Sequence, residues 1–284
     1  MIVHNELLSS YNCGRSLLRM SRESPAKCIR RWLSLATVAT TLALTLAACG
    51  GSSHSTPQSP RVVVAAASDL RPAFEELAWQ FSEDTGINVT FSFGSSGQLR
   101  EQIINGAPFD VFASANAQFV EEVIEAGRAI ATTRTNYAVG RIVLWSATPE
   151  SLPNTLEELQ NPKYTRIAIA NPTHAPYGLA AQQAFESSGI WKSVQNKLVY
   201  GENISDTKQI IDSGNVDIGI IAMSLAIADG RTYVLIPDTL HAPLLQAAVV
   251  TTTGANTAVA QQWIDYMTSP SGLQVMAKYG FSQS

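Results

Sequence analysis

The stretch RVVVAAASDLRPAFEELAWQF, residues 61–81, joins an apolar run to a short polar turn and then to apolar residues at helical spacing. Val62 to Ala67 supplies the run, and Phe74, Leu77, Ala78 and Phe81 recur at intervals of three and four, so the stretch reads as strand, turn, helix. Outward from it the alternation repeats. Further strand candidates are Ile87 to Phe93, Phe109 to Ala113, Arg141 to Trp145, Arg166 to Ala170, Lys197 to Tyr200, Val216 to Ile221, Tyr233 to Ile236 and Leu244 to Thr251. Helical patterns separate most of them. This order predicts an α/β fold with mostly parallel sheets covered on both faces, and it puts ligands where strands end and helices begin. No fixed-period repeat occurs, which excludes solenoids and propellers.

Upstream, Lys27, Arg30 and Arg31 precede an apolar run from Trp32 to Ala48 that closes on Leu46-Ala47-Ala48-Cys49. Residues 1–48 read as an export signal, complete from Met20 onward, so the start is expected to be over-extended. The run is short and rich in small residues, unlike a bilayer span. A Gly/Ser/Pro-rich linker occupies 49–60. All three cysteines, Cys13, Cys28 and Cys49, lie at or before the expected cleavage point, which excludes disulfides and zinc-thiolate sites from the folded part.

The full chain has 19 Lys and Arg against 23 Asp and Glu, and removing the signal's six basic and two acidic residues leaves 13 against 21, a net charge of about −8. An acidic surface disfavours nucleic acid. Any anion it binds must therefore be held locally. Four strand-to-helix turns have the chemistry to do so: Ala67-Ser68-Asp69-Leu70-Arg71-Pro72, Phe93-Gly94-Ser95-Ser96-Gly97-Gln98-Leu99, Asn171 to Gly178, and Glu202-Asn203-Ile204-Ser205-Asp206. Ser68 or Asp69 can cap the first helix and Pro72 suits its first turn. A helix start offers unpaired N–H groups and about half a positive charge, enough to hold a dianion without a counter-ion. Singly, such turns are ordinary features of α/β proteins.

Other residues carry weaker signals. The second turn lacks the Lys of a phosphate-binding P-loop, which argues against nucleotide. His174 could act as a base towards Ser68, but no G-x-S-x-G elbow, triad or metal set accompanies it, so it reads as a loop residue and the protein as no enzyme. The Asp69 carboxylate would repel a nearby dianion and is expected to turn away, to cap the helix or meet Arg71. Trp79, Trp145, Trp191 and Trp263 fall in apolar patterns and read as core.

Taken together, Ala65 to Leu70, Ser92 to Leu99, Gly106-Ala107-Pro108-Phe109-Asp110-Val111-Phe112-Ala113-Ser114-Ala115, Asn171-Pro172 to Gly178 and the terminal Lys278-Tyr279-Gly280-Phe281 resemble the molybdate-binding proteins of bacterial ABC importers. The resemblance spans roughly Arg61 to Phe281 and implies a type II periplasmic-binding-protein fold, two lobes joined by two crossovers around a ligand cleft. It implies lobe 1 from residues 61–136 and 237–284, and lobe 2 from 137–236. It also implies that Ser68 and Ser96 hold an oxyanion through hydroxyl and amide groups, while Tyr177 and Ile204 give backbone N–H groups. The ligand it implies is molybdate or tungstate, with no cofactor. The implied partner is a membrane permease and the protein is expected to be a monomer; lipidation at Cys49 is expected because Leu46-Ala47-Ala48-Cys49 resembles a lipoprotein box. One departure stands at Ala222, where some members carry a Tyr whose hydroxyl meets the ligand; Asp69's amide, Ser95 or water would then supply a fifth contact. Another small anion, such as sulfate, a phosphonate or an organic acid, is the alternative solute.

Overall fold

The computed structural model describes residues 60–283. The proposed signal, the linker before Pro60 and Cys49 lie outside the described residues. From Pro60 the chain first lays down β1 (Arg61–Ala67), a 3-10 turn at Ser68–Leu70, α1 (Arg71–Thr85), β2 (Asn88–Gly94), α2 (Ser96–Ile104), β3 (Val111–Ser114), α3 (Ala117–Glu125) and β4 (Thr135–Gly140). The next section holds β5 (Ile142–Trp145), β6 (Ile167–Ala170), α4 (Pro176–Ser187), α5 (Trp191–Val194), β7 (Leu198–Gly201), α6 (Ile204–Asp212), β8 (Ile218–Ala222), α7 (Met223–Asp229) and β9 (Val234–Leu235). β10 (Leu244–Val250), α8 (Thr257–Met267) and α9 (Pro270–Lys278) complete it.

The strands form two five-stranded sheets with the orders β2-β1-β3-β10-β4 and β7-β6-β8-β5-β9. In each sheet four strands run the same way and one, β10 or β5, runs antiparallel. These two are the first strands laid down after each crossing between sheets, so the mostly parallel expectation holds with one reversed strand per lobe. The parallel strands need helical crossovers, which cover the faces and make the strand interiors apolar throughout. β3, β5, β6 and β8 are accordingly buried along their whole length.

β4 was not among the expected strands. Its sequence, TNYAVG, has weak alternation and both Asn and Gly, and it becomes a strand by pairing with the distant β10. That pairing runs to Gly140 opposite Leu244, so the first crossing falls at Arg141 and not at 136/137. The return crossing lies between Leu235 and Leu244. Within the pair, Gln246 faces Ala138 while Ala247 faces Asn136, which leaves Tyr137 as the extra residue of a bulge. Bulges re-aim side chains, and this one brings Tyr137 against Gln246.

Helix α1 buries Ala73, Phe74, Leu77 and Phe81 and ends at Gly86, whose φ of 72° lets its N–H reach Ser82 O at 2.9 Å. Phe74 and Phe81 each meet the Trp263 ring edge-on at 5.5 Å between centroids, and Phe91 adds a third contact. Trp145 and Trp263 are fully buried as expected, whereas Trp79 is 67% exposed because it lies on the face of α1 away from Phe74 and Phe81. Trp191 is half-buried.

Trp263 Nε1 is buried without a hydrogen-bond partner. Trp263→Ala is therefore expected to cost about 3–5 kcal/mol in urea unfolding through the cavity it leaves. Trp263→Phe, which keeps a ring and removes the unpartnered N–H, should cost less than half as much.

Candidate functional site

The four turns converge. One small cavity is lined by Ala67, Ser68, Asp69, Gly94, Ser95, Ser96 and Ala115 from one lobe and by Ala175, Pro176, Tyr177 and Ile204 from the other. All four residues singled out as oxyanion contacts line it, and no Lys, Arg or His side chain does. The turns meet because each follows a parallel strand (β1, β2, β6 or β7), and the carboxyl ends of those strands in the two sheets face one cleft.

Backbone donors are the first resource. Ser96 opens α2, Tyr177 follows Pro176 at the start of α4, and Ile204 opens α6. Residues in a first helical turn have no intrahelical acceptor, and the amides of these three make no backbone hydrogen bond elsewhere among the described residues. Asn203 caps α6 and accepts from the Ser205 and Asp206 amides at 3.0 and 3.1 Å, which narrows the fourth turn's free donors to Ile204. The expected cap on the first helix does not form: neither Ser68 nor Asp69 makes a side-chain cap bond.

The hydroxyls are the second resource. Ser96 Oγ accepts the Ala115 N–H at 3.0 Å, and Ser68 Oγ accepts the Ser205 N–H at 3.3 Å. With a lone pair on each oxygen engaged in this way, both hydroxyl protons remain for an acceptor in the cavity. Ser95 is different. Its hydroxyl donates to His174 O at 2.5 Å and sits 2.9 Å from His174 Nδ1, so it ties the lobes together and its proton is engaged. His174 lies beside Ser95 rather than Ser68, and no base faces the Ser68 hydroxyl.

Further bonds tie the lobes at the same place. Gly97 N–H donates to His174 O at 2.9 Å, Ser205 Oγ to Ser68 O at 3.0 Å, and Ser224 Oγ to Asp69 O at 2.7 Å. Ala222, at the end of β8, brings no hydroxyl, and Ser224 beyond it reaches backbone.

Asp69 overturns its expectation. Its carboxylate neither caps the helix nor meets Arg71, which pairs with Glu75 at 3.2 Å. It is fully buried, with Oδ2 accepting from Tyr177 OH at 2.9 Å and from Gln246 Nε2 at 2.7 Å. Burial outweighs these donors and pushes its pKa up to about 6. Burial first, and then the Asp69 charge, push Tyr137 and Tyr177 well above the ordinary tyrosine value. Tyr177 thus uses its hydroxyl as well as its amide. Sequence reasoning missed Gln246, although a lone amide inside LLQAAVV was the available signal: a polar side chain in a buried strand needs a partner.

A two-lobed α/β fold with a small cavity between the lobes is the architecture of the extracytoplasmic solute receptors. The chain belongs to the bacterial extracellular solute-binding protein family, whose model matches residues 62–282, and it is a binding protein and not an enzyme. It is 37% identical over 221 residues to the molybdate-binding protein ModA of Rhodobacter capsulatus, covering 78% of this chain and 87% of that protein. It is 36% identical over 228 residues to ModA of Azotobacter vinelandii, covering 79% and 90%. The solved structure of the Azotobacter vinelandii periplasmic molybdate-binding protein superposes with a TM-score of 0.75 at 33% identity, over 78% of this chain and 99% of that one.

Lobe contact leaves no room at Gly97, where an added Cβ would lie 2.6 Å from His174 O and 3.0 Å from its Cα. Gly97→Ala favours the helix locally, so its expected effect is confined to closure: a larger radius of gyration by X-ray scattering at unchanged secondary structure.

Proposed function

We propose that this protein captures molybdate or tungstate outside the cytoplasmic membrane and delivers it to the permease of an ABC importer. The observation that carries the reading is a cavity whose donors are neutral, with amides from three helix starts and two serine hydroxyl protons. Such a cavity suits a tetrahedral dianion that accepts hydrogen bonds at every oxygen and offers none. The named ligand of the similar ModA proteins supports the same choice.

In this reading Ser68 and Ser96 donate through hydroxyl and amide, Tyr177 and Ile204 donate through amides, and closure over the anion removes competing water. No cation or cofactor is called for. Sulfate, a smaller tetrahedron, is expected to engage fewer of these donors at once, and hydrogen phosphate carries a proton that the amide and hydroxyl donors do not accept. Calorimetry with molybdate, tungstate, sulfate and phosphate tests the reading: the first two are expected to bind at least tenfold more tightly than the others. A sulfate preference would move the assignment to the alternative solute.

Each hydroxyl bond to a charged acceptor is worth about 1.5–3 kcal/mol. Ser96→Ala should therefore weaken molybdate binding by roughly ten- to a hundredfold, and the double variant with Ser68→Ala by more. Loss of neither affinity would place the anion elsewhere.

The lipid anchor is the second part of the proposal. It rests on the Leu46-Ala47-Ala48-Cys49 box and the linker behind it, which together put a monomeric receptor on a tether at the membrane surface. Cys49→Ser is expected to move the protein from the membrane to the soluble fraction with its anion affinity unchanged, and a variant that still sediments with membranes would refute the anchor.

A further inference from the structure

A carboxylate among the lining residues conflicts with a dianion in the same cavity. Asp69 is fully buried and lines the cavity beside Ser68. Its Oδ2 has two donors, Tyr177 OH and Gln246 Nε2, while its Oδ1 is buried with no partner at all. That asymmetry suits a neutral acid: one oxygen accepts, as a carbonyl does, and the other has the valence for a proton.

The surroundings offer no cation to hold a third negative charge. From α4 comes Tyr177, and from β4 comes Tyr137, whose hydroxyl donates to Gln246 Oε1 at 3.0 Å and to Ser114 O at 3.2 Å. β10 gives Gln246, and α7 gives Ser224, whose hydroxyl holds Asp69's own carbonyl. On α1, Arg71 lies over the Phe93 ring and pairs with Glu75, while Arg141 at the crossing pairs with Asp238 at 3.5 Å. His174 meets Ser95, and Glu202 and Asp206 border the groove beside Ser68 and Arg71, with Glu202 accepting from Gln98 Nε2 at 2.7 Å; none of these adds a cation against the Asp69 carboxylate.

We infer that Asp69 is a further ligand-responsive residue of this site, taking up one proton from solvent as the oxyanion binds, so that the loaded cavity holds the dianion beside a neutral carboxylic acid. The inference rests on the oxyanion reading above. The balance is simple: carboxylate, proton and dianion combine without any bond of the ligand breaking, and the proton returns to solvent when the anion leaves. The physical cause is like-charge repulsion in a site that closure has dried, where two negative groups cannot both stay ionised. With the carboxyl already raised to about 6 before the ligand arrives, a neighbouring dianion raises it further. The sign follows: above the free-protein value the empty site is ionised and binding takes up a proton, whereas below it the site is already protonated and binding takes up none.

Calorimetric titration of the purified protein with molybdate, in buffers of different ionisation enthalpy, reads the proton count directly. Molybdate itself stays fully deprotonated between pH 5.5 and 7.5. The expected uptake is about one proton per molybdate at pH 7.5, falling below about one quarter at pH 5.5, with apparent affinity rising about tenfold per pH unit on acidification through the upper range. Asp69→Asn keeps the shape and an acceptor for Tyr177 and Gln246, and it should abolish both the buffer dependence and the pH dependence. Tyr177→Phe gives an independent check: losing a donor to the carboxylate raises its free-protein pKa, so the pH at which uptake is half-maximal should shift upward. His174→Gln should leave the proton count as it was. Molybdate heat with no proton uptake at pH 7.5, or uptake that survives Asp69→Asn, would overturn this inference alone. Tight, proton-neutral binding of hydrogen phosphate would also overturn it, since Asp69 would then be acting as an ionised acceptor. No molybdate heat in any buffer would overturn the oxyanion reading along with it.

Discussion

The organising constraint is that a small cavity between the lobes is lined by neutral donors with no positive side chain, so any negative charge proposed there must be met without one. Only unpaired N–H groups and hydroxyl protons remain for that task, and helix starts are where a folded chain has them in surplus. One parallel sheet delivers such starts along one edge. Two sheets facing each other deliver them from opposite sides, which is how Ser68 and Ser96 come to oppose Tyr177 and Ile204 across a gap of a few atoms. The two-lobe architecture, the reversed strands β5 and β10 and the crossing at Arg141 are consequences of bringing those edges together.

Close approach then selects residues that have little else in common. An added Cβ would collide with the His174 backbone at Gly97, with Ala170 O at Gly178 and with the Tyr177 hydroxyl at Gly140. Ser95, Ser205 and Ser224 each donate a hydroxyl across the cleft to a backbone carbonyl. Short side chains serve here because they satisfy buried carbonyls without holding the lobes apart. The same burial that strengthens these bonds makes the Asp69 carboxylate costly and raises its pKa.

Sequence periodicity and turn chemistry were enough to predict an α/β chain, nine of the ten strands and the four helix starts. Those features are local: apolar runs of strand length, Phe74, Leu77 and Phe81 at helical spacing, and Pro, Gly or Asn at the helix starts. The resemblance to molybdate-binding proteins selected four residues from those turns, and the fold brings all four to one cavity. Strand β4 stayed hidden because TNYAVG acquires its strand character from β10, more than a hundred residues on, and the lobe crossing hidden with it moved to Arg141.

Tertiary structure alone decided what the polar groups do. Asp69 reads as a surface cap from its place at a turn, but the approach of Tyr177 and Gln246 buries it and turns it into a titratable neighbour of the cavity. Ser95 and Ser96 are adjacent and chemically identical in sequence. One is used up in clamping His174, while the other keeps its proton because Ala115 N–H occupies its lone pair. Local sequence determines which donors and acceptors exist. Their assignment depends on what lies opposite them, and that is set by pairing between segments far apart in the chain.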